Sequence, residues 1–142
     1  MSVTFVDSNV LIAAGIASDA NHETAREILT GIDGGALPRT RLSNYVTAEL
    51  LNYMHARGGH SAGMEFYDRL AIAEGFEVVH ATRQDYHGAL SLFDRRPTLS
   101  FVDATIISYM RREGITYLYS FDDDFDAFEG IERLNVPENP YA

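Results

Sequence analysis

The stretch V-T-F-V-D-S-N-V-L-I-A-A, residues 3–14, decides the fold. Residues 3–6 are β-formers in a short, mostly apolar run that stops abruptly at Asp7, the pattern of a buried strand. Residues 8–17 continue as a helix, so a strand passes into a helix at an acid. Outward from this unit, a second helix is expected over 21–32 with Asn21 as its N-cap. A strand at 36–40, a helix at 43–57 stopped by Gly58 and Gly59, a helix at 61–74 and a strand at 76–80 follow. Thr82 and Asp85 form an acidic capping box for a helix to Phe93. Ser100 and Asp103 repeat that arrangement for a helix to Glu113, closed by Gly114. Strands at 117–120 and 131–134 bracket the segment F-D-D-D-F-D-A-F. Short strands alternating with helices predict a parallel-sheet α/β/α sandwich, one domain over 1–142. Such sheets hold their sites outside the carboxyl ends of the strands, which points to Asp7 and Asp122.

Composition removes many chemistries. All 11 basic residues are arginine and no cysteine occurs. Lysine Schiff bases, Walker A loops, thiolate metal sites and thiol nucleophiles are therefore excluded. The first residues lack the positive and apolar regions of a secretory signal, so a cytoplasmic protein with no membrane span is expected. The net charge of -10 reads as a highly solvated, halophile-like surface, and it argues against a broad basic nucleic-acid patch.

Four acids sit where an acid is costly. Asp7 interrupts an apolar stretch. Glu49 shares a helix face with Val46, Leu50 and Tyr53, and Asp103 leads a stripe of Ile106, Ile107 and Met110. Asp122 follows Y-L-Y-S-F. Each has an ordinary explanation as a cap, a turn acid or a rim residue. Placed together about 6 Å apart at an effective dielectric of about 20, each pair repels by about 2.8 kcal/mol. Six pairs then reach roughly 15 kcal/mol, comparable with the stability of a whole domain. Protonation or a cation must offset that. Oxygen-only donors favour Mg²⁺ or Mn²⁺, and a multi-carboxylate site suits phosphodiester hydrolysis. Asp122, Asp124 and Asp126 open like a calcium loop, but Ala127 and Arg133 occupy its glycine and glutamate positions. The five histidines and the serines show no nucleophile or zinc spacing.

The segments V-D-S-N-V-L-I (6–12), T-A-E-L-L-N (47–52), F-V-D-A-T-I-I (101–107) and S-F-D-D-D-F (120–125) resemble, in order, the four motifs of PIN-domain nucleases. A bare chain of this size is similar to the VapC-type toxins of toxin–antitoxin pairs. The resemblance implies a Mg²⁺-dependent endoribonuclease in which Asp7 and Asp103 are the principal metal ligands. Glu49 and Asp122 complete the site directly or through water. Asn9 would fix Asp7, Asp124 matches a less constant acid, and Ser120 stands where the family usually has threonine. Asp123 is extra. The family also implies a homodimer and a small antitoxin partner. The rival from another class is a catalytically idle PIN-like module that binds RNA or protein; replacement of Asp7 or Asp103 would have favoured it. Receiver and haloacid-dehalogenase-like readings fail for want of a lysine. RNA contacts are expected from Arg39 and Arg41, near the end of the second strand, and from Arg95 and Arg96.

Overall fold

Among the described residues, five strands form one parallel sheet: β1 (Val3–Val6), β2 (Arg39–Ser43), β3 (Phe76–Val79), β4 (Tyr117–Tyr119) and β5 (Glu132–Leu134). The computed structural model describes residues 2–142. The strand order is β3-β2-β1-β4-β5, so β1 is central, and Phe5 pairs with Arg41 on one side and Leu118 on the other. From β1 the chain winds outward through β2 to β3, then crosses back to β4. The order therefore reverses between β1 and β4, which opens a crevice at their carboxyl ends.

Six helices cover the sheet: α1 (Ser8–Gly15), α2 (His22–Gly34), α3 (Asn44–Gly58), α4 (His60–Ile72), α5 (Arg83–Arg95) and α6 (Phe101–Glu113). Because the strand order reverses after β3, the usual hand of parallel crossovers sends α1 to α4 and the pair α5–α6 to opposite faces; α1 packs on α2 and α3, α3 on α4, and α5 on α6. Phe5, Val6, Leu42 and Leu118 are fully buried between these layers together with Ile28, Leu50 and Ile106. The sandwich expected from the strand–helix alternation is the one observed. No helix among the described residues is long and apolar enough to cross a membrane.

The largest displacement from the sequence reading is at β2, which starts at Arg39 rather than 36. Pro38 has no N–H for the ladder, and Leu37 N–H instead closes the turn onto Gly31 C=O at 2.9 Å. The strand is polar, R-T-R-L-S, yet it is seated inside the sheet. Thr40 is buried, with its hydroxyl 2.8 Å from that of Thr4, and Arg41 points to α6. Asn21 does stand at the N-cap of α2, but its side chain makes no capping bond. F-D-D-D-F-D-A-F becomes a 3₁₀ turn at Asp123–Ala127, pinned by buried Phe125 and Phe128.

Candidate metal centre

Asp7 leaves β1 at the crevice. Its N–H bonds to Tyr119 C=O at 2.9 Å, which extends the β1–β4 pairing by one residue and fixes the backbone. The residue is 3% exposed and occupies the N-cap of α1, yet its side chain makes no capping bond. Its Oδ2 accepts a 2.8 Å hydrogen bond from the Ser120 hydroxyl. Burial pushes its carboxyl up to about 6; Ser120 and the Ser8 N–H pull down, while Glu49 and Asp122 push up.

Asp103 lies in the first turn of α6, three residues after Ser100. The Ser100 hydroxyl accepts from Asp103 N–H at 3.1 Å, so that half of the expected capping box exists. The other half does not form. Burial first, then the charges of Asp7 and Asp122, raise the Asp103 carboxyl to about 7, against the pull of Ser100 and with a further push from Glu49. Glu49 projects from α3, which touches α6, and accepts a hydrogen bond from the buried Ser8 hydroxyl. Asp122 follows β4; its N–H donates to Ser120 Oγ at 3.0 Å, and its Oδ1 accepts from Asp124 N–H at 2.9 Å. The carboxylates of Asp122, Asp123 and Asp124 offer oxygens within 4.8 Å of one another.

Four segments far apart in the chain thus bring Asp7, Glu49, Asp103 and Asp122 into one electrostatic field. Among the described residues, no arginine lies within salt-bridge distance of any of the four. The negative charge is left to protons or to a cation. An all-oxygen donor set, held by side-chain hydroxyls and partly protonated in its absence, fits a hard divalent ion.

Ser120 is the hub of the site. Its hydroxyl donates to Asp7 and lies 3.5 Å from Asn9 Nδ2 as well as accepting from Asp122, which uses its one donor and two acceptor positions. The expected Asn9–Asp7 bond is replaced by this relay: Asn9 Oδ1 accepts from Phe121 N–H at 3.3 Å and its amide reaches Ser120. The sequence pattern assigns Ser8 no role, although it sits inside D-S-N beside Asp7.

The arginines divide. Arg39 and Arg41 open β2 instead of closing it, which carries them away from the carboxyl edge. Arg39 donates to Glu74 C=O at 3.1 Å, and Arg41 is held by Glu77 at 3.0 Å and Glu113 at 2.7 Å. Arg95 ends α5 with its Nε on Ser91 C=O, and Arg96 lies 4.9 Å above the ring of Phe128, beside the 3₁₀ turn.

Residues 4–131 match the model of the PIN domain family. The chain is 33% identical over 129 residues to the 23S rRNA-specific endonuclease VapC20 of Mycobacterium tuberculosis, covering 90% of this chain and 95% of that one. It is 32% identical over 130 residues to ribonuclease VapC13 of the same organism, covering 91% and 97%. The crystal structure of M. tuberculosis VapC20, described as a Sarcin-Ricin loop cleaving toxin, superposes with a TM-score of 0.76 at 32% identity over 87% of this chain and 93% of that one. VapBC2 from Rickettsia felis, at 13% identity with a TM-score of 0.71, shares the fold over 94% and 98%. With a family match across nearly the whole chain and two full-length relatives above 30% identity, the protein belongs to the PIN domain family.

Proposed function

We propose that this protein is a Mg²⁺-dependent endoribonuclease that acts as the toxin of a toxin–antitoxin pair. The observation that carries the reading is the convergence of four uncompensated carboxylates at the switch point of a parallel sheet, in a chain one-third identical to an rRNA endonuclease. Asp7 and Asp103 would hold the ion, with Glu49 and Asp122 completing its shell; Mn²⁺ suits the same oxygens. When bound, the ion supplies charge stabilisation to a phosphodiester under attack by water.

The remaining work falls to the chain. Ser120 fixes the Asp7 carboxylate, and Ser8 fixes Glu49, so neither ligand has to be ordered when substrate arrives. With no cation in the site, Asp103, raised to about 7, is partly protonated at neutral pH and Asp7, raised to about 6, takes up its proton in mildly acidic solution; a bound cation would displace both protons. Asp124 donates its N–H to Asp122 and keeps its carboxylate at the exposed lip, beside Asp123.

The test is cleavage of purified ribosomal RNA with mapping of new 5′ ends, in Mg²⁺ and in EDTA. Wild-type protein is expected to cut at discrete positions only with Mg²⁺. Asp7→Asn and Asp103→Asn are expected to lose at least a hundredfold in rate while remaining folded. Equal cutting by the wild type and both variants would remove the acid centre from the reaction. The antitoxin is tested by co-purification with the product of the adjacent reading frame.

A further inference from the structure

Eleven arginines face 21 acids, and the ion pairs of the structure engage Arg26, Arg41, Arg112 and Arg133. Three others, Arg95, Arg96 and Arg111, gather around one recess of about 440 Å³ between the end of α5, α6 and the 3₁₀ turn. The buried ring of Phe128 is its floor. Arg96 stands 4.9 Å and Arg111 5.9 Å from the centre of that ring. Arg111 is also tied to Glu129 C=O at 3.2 Å, and Arg95 to Ser91 C=O at 3.2 Å. Each guanidinium spends little of its five-donor capacity in these contacts, so several N–H groups remain for an acceptor. Packing against the ring restrains the guanidinium groups of Arg96 and Arg111 in advance, which lowers the entropy lost when they grip an anion.

The recess does not end at Phe128. Arg96, Ala127 and Phe128 also wall a second hollow of about 180 Å³, whose other side is Asp123 and Asp124. A ligand that fills both must satisfy arginines at one end and, at the other, the Asp123–Asp124 lip, whose carboxylates adjoin that of Asp122. A chain of phosphates meets both demands. We propose that the Arg95–Arg96–Arg111 recess is a phosphate subsite that holds the RNA strand next to the acid centre, a proposal that rests on the nuclease reading above. It solves the problem of a protein of charge -10 attracting a polyanion: the cations are few, but they are concentrated beside the site. Glu129 and the Asp123–Asp124 lip are the acids that border the path, so RNA affinity should require a divalent ion in the centre.

The test is fluorescence anisotropy of a labelled single-stranded RNA across a KCl series in CaCl₂, which supplies a divalent ion for the acids. The triple variant Arg95→Gln/Arg96→Gln/Arg111→Gln is expected to bind at least tenfold more weakly at low salt. Its salt slope should flatten by about 2, since each phosphate contact on a single strand contributes roughly 0.7. Arg95→Gln alone, an exposed change that leaves the Phe128 stack intact, should flatten it by about 0.7. Arg39→Gln, at the amino end of β2 and away from the recess, should change nothing. In Mg²⁺ the triple variant should show a raised KM with kcat largely kept. Unchanged affinity and slope in Arg95→Gln and in the triple variant overturn the subsite, even where the wild type cleaves RNA. Arginine-dependent binding with no cleavage in Mg²⁺ or Mn²⁺ supports the subsite and overturns the nuclease reading. Displacement of the RNA by polyglutamate as readily as by unlabelled RNA shows a docking place for an acidic protein segment and overturns the proposal. A wild type that binds no RNA overturns it too.

Discussion

Asp7 and Asp103 are carboxylates whose folded values lie well above the ordinary 3.8, at about 6 and about 7. The sign of the linkage follows. Their protonated forms favour the fold fully below the ordinary value, and that contribution is lost as pH rises through 6 and 7. Metal-free protein should therefore melt at a lower temperature at pH 8 than at pH 5.5. Saturating Mg²⁺ should abolish the difference, because the ion replaces the protons. Asp103→Asn should stabilise the metal-free protein at pH 8 by about 1–2 kcal/mol and remove much of the slope. Thermal unfolding of the two proteins at both pH values checks this, and a wild-type melting point that does not move with pH or Mg²⁺ contradicts it. The convergence of the four acids was legible in the sequence because each sits on, or at the edge of, an apolar face where a carboxylate is costly. The hydroxyls that hold them were not. Ser8 reaches Glu49 across 41 residues and Ser120 reaches Asp7 across 113, separations on which local periodicity is silent.

At the scale of elements, α5 and α6 begin alike and end up with different uses for the same residue. Both carry a hydroxyl N-cap followed three residues later by aspartate. In α5 the box closes: Asp85 N–H donates to Thr82 Oγ1 at 3.1 Å, and Thr82 N–H donates to Asp85 Oδ2 at 2.8 Å. Asp85 is 1% exposed and forms a two-pronged pair with Arg112 of α6, which in turn holds Glu113, the partner of Arg41. In α6 the box stays half open and Asp103 turns to the centre. Sequence spacing predicts both boxes and has no means to separate them, because the deciding partner of Asp85 is 27 residues away. Burial opposes ionisation of Asp85, but Arg112 and Thr82 outweigh it and hold its carboxyl below the ordinary value. Its contribution is thus present above about pH 4 and is lost as pH falls below that. Asp85→Asn or Arg112→Met should each cost about 2–3 kcal/mol in urea unfolding at pH 7, with the gap to wild type closing in acid. A second element-scale test concerns Gly75, before β3. A Cβ there would stand 2.0 Å from the Ile32 carbonyl oxygen, and Gly75 C=O pairs with Thr40 N–H at 2.9 Å. Gly75→Ala therefore has to move the end of α2 or the β2–β3 pairing. A loss of about 2 kcal/mol or more is expected; a neutral result in the same assay would show that the turn can shift freely.

For the molecule as a whole, the charge of -10 divides into a local and a diffuse part. The local part is the acid centre, where the charges of four carboxylates act on one another and, among the described residues, no arginine lies within salt-bridge distance. The diffuse part is the rest of the 21 acids: among the described residues, only Glu23, Glu77, Asp85, Glu113 and Asp126 lie within salt-bridge distance of an arginine. The two parts respond to different solutes. A millimolar divalent ion held at the centre, as proposed, would stabilise by mass action but leave the surface almost unscreened. Molar KCl shortens the screening length from about 10 Å at 0.1 M to about 3 Å, which weakens repulsion between distant surface acids most. Wild-type protein should therefore gain melting temperature from Mg²⁺ in dilute buffer and gain again from KCl at saturating Mg²⁺. The double variant Asp7→Asn/Asp103→Asn should lose the Mg²⁺ gain and keep the KCl gain, since its surface is untouched. Loss of both gains would place the whole repulsion in the centre and strip the acidic surface of its halophile-like role. The converse result, a double variant that still responds to millimolar Mg²⁺, would move the cation to Asp122, Asp123 and Asp124 at the lip, next to the arginine recess.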